Sequence, residues 1–158
     1  MALQSMTALA SITLQEASAS VSFSNIPQNF RDLVLVAFLN GSATGEVTFL
    51  QINGSASGSM VGMRGNGSTT ASYTSSSMFL SYAGGFTSNF EAATANILDY
   101  SQTNKHKTIL CRADNPGSKT EAIANRWAST SAVTSIGIAP ATGNITAGST
   151  FNLYGRIG

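Results

Sequence analysis

Apolar and polar residues alternate with a period of two in short runs along the 158-residue chain, and Gly, Asn, Ser and Pro separate the runs at intervals near ten residues. Alternation places successive side chains on opposite faces of a pleated strand, and its recurrence at about 8–12 residue spacing marks an all-β fold. Strands are predicted near Leu9–Leu14, Ala19–Phe23, Asp32–Leu39, Glu46–Ile52, Ala93–Tyr100, Lys107–Arg112, Glu121–Ala128, Val133–Ile138 and Thr150–Ile157. Such a set suits an antiparallel β-sandwich of about eight to ten strands. Asp32–Leu39 is apolar on both alternating faces, so it is expected to be central and covered on both sides. In the last run, Phe151, Leu153 and Ile157 share a face that goes into the core. Asn152, Tyr154 and Arg156 share the other, towards solvent or a neighbour, and Gly155 is expected to admit another backbone closely. No segment sustains a helical stripe; the best short stretch, Ser77–Tyr82, is too brief for a helix of its own.

Residues 1–158 are expected to form one domain, with a Gly/Ser-rich region near 54–77 that reads as a long loop or a weak hairpin, because only Met60, Val61, Met63 and Tyr73 can anchor it. Asn-Gly-Ser occurs at Asn40, Asn53 and Asn66. Asn and Gly both tolerate positive φ, so three hairpin turns are predicted.

Composition shifts the emphasis from catalysis to association. Charged residues make up 9% of the chain, where about 25% is typical, and the formal net charge is +1. The deficit is filled by 23 Ser, 17 Thr and 12 Asn. A polar but nearly uncharged exterior suits surface that a partner covers, since free monomers usually rely on interspersed charge for solubility. So small a net charge supplies no general field for a nucleic-acid backbone or an anionic membrane. The longest apolar run, Leu33–Leu39, is far below the ~20 residues of a membrane span. Met1–Leu14 holds no Lys or Arg ahead of a hydrophobic stretch, so no secretory leader is expected.

Candidate chemistry is sparse, and no enzyme is expected. The single histidine, His106, lies between Lys105 and Lys107 without a nucleophile elbow, and reads as an exposed turn residue. The single cysteine, Cys111, alternates with Ile109 and Ala113 like a small buried hydrophobe. The seven acids are isolated in sequence, so no metal or cofactor site is expected, although strand pairing could bring Asp99 and Glu121 together as a carboxylate pair. Lys105, His106 and Lys107 form the loose basic cluster; with Tyr154 and Arg156 they are the candidate partner contacts. Tyr73, Tyr82, Tyr100 and Trp127 are candidate sugar platforms, with Trp127 reading more simply as a core anchor.

Three stretches carry a resemblance: Val21-Ser22-Phe23-Ser24-Asn25-Ile26-Pro27 leading into Leu33–Leu39, Trp127 ahead of Ile136-Gly137-Ile138, and the closing Gly148-Ser149-Thr150-Phe151-Asn152-Leu153-Tyr154-Gly155. This layout resembles small jelly-roll-like virion structural proteins of tailed bacteriophages, of the capsid decoration or tail-fibre type and including cyanophage proteins. The resemblance implies a virion-surface component, made in the host cytoplasm and assembling as a homotrimer. Its implied partners are the major capsid protein or other virion proteins, or host-surface glycan in the tail case. It brings no catalytic residues and no cofactor.

Overall fold

The computed structural model describes residues 6–43, 47–82, 90–115 and 119–157. Among them are twelve strands: β1 (Met6–Thr13), β2 (Val21–Phe23), β3 (Asp32–Leu39), β4 (Thr48–Ile52), β5 (Ser57–Gly65), β6 (Thr70–Ser77), β7 (Phe79–Ser81), β8 (Glu91–Ile97), β9 (Lys107–Asn115), β10 (Lys119–Trp127), β11 (Ile136–Pro140) and β12 (Thr150–Arg156). They build an eight-stranded sheet, ordered β1-β12-β3-β8-β9-β10-β5-β6, and a four-stranded sheet, ordered β2-β11-β4-β7. Every pairing is antiparallel. The expected all-β sandwich is therefore present, with more strands than the apolar runs suggested.

The core lies between the sheets and is built from one side of each strand. Leu33, Leu35, Ala37 and Leu39 of β3 pack there with Leu50, Ile52, Ile97, Ile109, Ile136 and Phe151. β3 is central, as expected, but only one of its faces is covered: on the other, Val34 and Val36 are half-buried and Phe38 is 49% exposed. The small sheet has too few strands and lies on one side only, so the second apolar face of β3 stays open. Gly155 also differs from expectation. A side chain there would strike the Phe30 ring, so the glycine makes room for an aromatic side chain and not for a backbone.

Residues 54–77 form an ordered hairpin. β5 pairs along β10 from Thr120↔Gly65 to Arg126↔Ser59, and β6 pairs back onto β5. Few large side chains are needed, because the ladder hydrogen bonds of β10 organise this end of the sheet. Asn53 and Gly54 turn the chain from β4 into β5 with φ of 49° and 81°, the two positive values of a type I′ hairpin. Asn66–Thr69 close the β5–β6 hairpin, with Asn66 Oδ1 accepting the Ser68 and Thr69 N–H groups at 3.0 and 2.8 Å. The Asn40 triplet makes no such turn among the described residues: Gly41 bridges Ile145 instead. Glu46, the predicted start of the fourth run, lies outside the described residues.

Ser77–Tyr82 contains the short strand β7, stapled across the sandwich by a side chain. The buried Asn125 of β10 accepts the Phe79 N–H at 2.9 Å and donates to the Phe79 carbonyl at 3.0 Å, replacing a pair of ladder bonds.

Candidate functional site

Cross-strand register lays out the open face of the large sheet as rows. One row runs Val34, Asn96, Leu110, Ala124, Val61; the next runs Val36, Thr94, Arg112, Ala122, Met63; the third runs Phe38, Ala92, Asp114, Thr120, Gly65. Small side chains, chiefly Ala and Thr, make the floor, and larger apolar ones stand above it. Met63 is 65% exposed, Val61 58% and Leu110 45%. Of the seven large hydrophobic residues exposed among the described residues, four lie here, Phe38, Val61, Met63 and Leu110, and Met6 is on the same side of the sheet at its β1 edge. Two adjoining hollows of about 780 and 580 Å³ indent the face and share Met63, Arg112 and Ala122 in their walls. Val61, Met63 and Leu110 stand exposed around the small side chains of Ala122 and Ala124, and this grouping of large apolar residues makes the face the strongest candidate site on the molecule. Its charges are few. Arg112 and Asp114 stand two residues apart on β9, both exposed, and neither forms an ion pair among the described residues.

The contacts expected from sequence are scattered. Lys105 is exposed and its Nζ pairs with Asp99 at 3.0 Å. His106 is exposed, with Nδ1 2.9 Å from Arg126 Nη2. Lys107 is no partner contact: its side chain is fully buried, and Nζ donates to the carbonyls of Gln102 at 2.6 Å, Lys105 at 3.0 Å and Thr130 at 3.4 Å. As the first residue of β9 it takes the core-facing position that Ile109 and Cys111 continue, and burial holds its pKa below the usual ammonium value. Tyr154 is half-buried on the open face beside Val34. Arg156 is committed to the buried Asp32 by bonds of 3.1 Å from Nε and 2.5 Å from Nη2. Strands β3 and β8 separate this pair from the start of β9 by three strand spacings, roughly 14 Å, so the five residues do not form one surface.

A second cluster, which sequence reasoning did not assemble, sits where β5, β6, β7 and β10 meet. Tyr73 and Tyr82 approach with ring centroids 4.9 Å apart, and the Arg64 guanidinium lies 4.6 Å from the Tyr82 centroid and 5.5 Å from that of Tyr73. Tyr73 donates to Glu121 Oε2 at 2.6 Å, and the Tyr82 N–H donates to Glu121 Oε1. Gly62 makes the space, since any side chain there would meet the Tyr73 ring. Burial raises the pKa of Glu121 despite these two donors, and it raises that of Tyr73, with the neighbouring carboxylate adding to the shift. The other proposed sugar platforms do not join them: Tyr100 is fully buried, and Trp127 packs against the core.

Nor do Asp99 and Glu121 meet. Asp99 follows β8 at the end where Lys105 lies, whereas Glu121 is near the opposite end of β10. The carboxylate that does sense Glu121 is Glu91, which is 2% exposed. Burial pushes its pKa to about 7, and Glu121 and Asp114 push the same way. Ser81 lies near enough to oppose burial by favouring the charged form, although its Oγ makes no hydrogen bond. Thr48 Oγ1, Ser81 Oγ and Glu91 Oε1 are all buried without a hydrogen-bond partner, and Thr48 and Ser81 are cross-strand neighbours. Cys111 is buried as expected, and burial pushes its thiol up to about 12.

Among the described residues no three His, Cys, Asp or Glu side chains converge as metal ligands, and no helix is long and apolar enough to cross a membrane. No family model, curated protein or solved structure matches this chain.

Proposed function

We propose that the chain is a structural subunit of a bacteriophage particle, most specifically a cement or decoration protein that binds the outer capsid shell non-covalently and strengthens it. The observation that supports this is the open face of the large sheet, where Val61, Met63, Leu110 and Phe38 stand exposed over a floor of Ala and Thr. Burying such a face gives the favourable apolar term that a subunit held by its neighbours requires, provided that the partner pairs Arg112 and Asp114. The low charge of the chain supports membership of an assembly, whereas the phage particle and the three-fold closure rest on the resemblance to virion proteins alone.

The test is quantitative mass spectrometry and shell-stability measurement on purified particles. Hundreds of copies per particle are expected, with capsids lacking the protein rupturing at lower temperature or lower osmotic stress. Absence from the particle, or shells of unchanged stability without it, would refute the reading. The Tyr73–Tyr82 pair with Arg64 beside it favours one alternative, a tail-fibre or receptor-binding module that meets host-surface glycan. A few copies at the tail, with glycan-array binding abolished by Tyr82→Ala, would select it.

A further inference from the structure

We infer that the open face of the large sheet is covered by a second copy of this chain, packed face to face about a two-fold axis that crosses the strands at the level of Ala113. The inference rests on the reading above only for the expectation that this face is covered; the choice of a sibling as its occupant comes from the geometry.

Size is the first consideration. Eight strands at ~4.8 Å spacing and three rows of outward residues give a surface roughly 35 Å by 20 Å, or about 700 Å². The pairing argued next lays two of these three rows over each other, roughly 470 Å² on each partner, which is a small interface beside the ~800 Å² per partner of a standard one.

Charge placement is the second. A two-fold axis running across the sheet at Ala113 inverts position along β9 while keeping strand over strand. Arg112 then lies over Asp114 of the second copy, and Asp114 over Arg112 of the second copy, so the two exposed charges of the central strand are each paired twice by one operation. No other level on β9 does this: an axis at Cys111 sets Arg112 over Leu110, and one at Arg112 or Asp114 sets like charges together.

Shape agrees. The same operation places each residue of the Arg112 row over a residue of the Asp114 row in the facing sheet. Met63 falls over Gly65, Val36 beside Phe38 and Ala122 over Thr120, so bulky side chains meet small ones or other apolar ones. Face-to-face sheets cross at about 30°, so the match is closest near the axis, where β9 and β10 lie.

Charge reversal tests this with the full-length purified chain. Arg112→Asp places two acids on the face, and Asp114→Arg places two cations there. In sedimentation, each single variant is expected to show half the assembly mass of the wild type, because reversed charges repel across the axis. An equimolar mixture of the two variants is expected to regain the wild-type mass, since the acid-bearing face complements the cation-bearing one. The double variant R112D/D114R, with the charges exchanged, should also regain it alone. Both positions are exposed, so the far-UV circular dichroism spectrum should stay that of the wild type and the melting temperature should fall only to that of the wild type diluted until it dissociates, separating dissociation from unfolding. A wild type that sediments as a monomer, single variants of undiminished mass, or a mixture that fails to reassemble would overturn the two-fold pairing. A monomeric chain that still decorates and strengthens capsids would remove the pairing and keep the shell role. A stable pair absent from particles would do the reverse.

Discussion

Replacing Glu91 by Gln tests how the sandwich tolerates a buried acid. Glu91 is 2% exposed at the first position of β8, facing the core, and burial sets its pKa at about 7 against an ordinary 4.5. An acid whose pKa is higher folded than unfolded binds its proton more tightly in the native state. The wild type therefore keeps this contribution in full below pH 4.5 and loses it as pH rises to about 7. The displacement of roughly 2.5 pH units at 1.36 kcal/mol per unit amounts to about 3 kcal/mol. For a domain of this length that is a fall in Tm of roughly 6–12 °C, at ~2–4 °C per kcal/mol. Glu91→Gln keeps the shape of the protonated acid and does not titrate. Thermal unfolding of both proteins from pH 4 to pH 8 should show similar Tm values at the acid end and a widening gap in favour of the variant up to pH 7, after which the gap is constant. Glu121 also has a raised pKa and is retained in both proteins, so its own burial cancels from the difference and only its repulsion with Glu91 remains in the gap. Melting curves that stay parallel across pH 4.5–7 would show that Glu91 is no buried titrating group and would refute the argument.

Two further substitutions probe the packing that sets the face in place. Asn125→Ala removes both bonds to Phe79 and leaves a buried N–H and C=O without partners, so a loss of about 3 kcal/mol is expected in denaturant unfolding. A loss below about 1 kcal/mol would show that β7 does not depend on this staple. Gly62→Val drives a branched side chain into the Tyr73 ring and should cost about 1–3 kcal/mol, but clearly less in a Tyr73→Ala background, where the ring is gone. Equal losses in the two backgrounds would contradict that explanation.

The strands that alternate cleanly were legible in the sequence. β12 is the clearest case, with Phe151 and Leu153 buried and Asn152, Tyr154 and Arg156 facing out. β3 was legible as an element and misleading as to burial, because apolar residues on both faces are equally compatible with a second layer and with a docking face. β5 was hidden by its own composition: Gly62 occupies an inward position between Val61 and Met63, which point outward, so the side chain that fills that inward space belongs to Tyr73 on the neighbouring strand. No local pattern records such a loan. Lys107 shows the same limit, since a lysine at the start of a strand reads as solvated until the carbonyls of Gln102, Lys105 and Thr130 are found around it. The open face is a property of register among five strands distant in sequence. What the sequence did carry was the low charge, which points to surface covered by a partner.

Met60 and Met63 provide a direct probe of whether that face is hidden in the assembly. They are three residues apart on β5, one buried in the core at 2% exposure and the other on the open face at 65%. Oxidative footprinting with mass-spectrometric readout compares their sulfoxide formation in the dilute Arg112→Asp chain and in the purified particle. The account predicts rapid Met63 oxidation in the isolated variant and a fall to the slow rate of Met60 in the particle. Met63 oxidising equally fast in both would show that the face stays bare, and would contradict the assembly role.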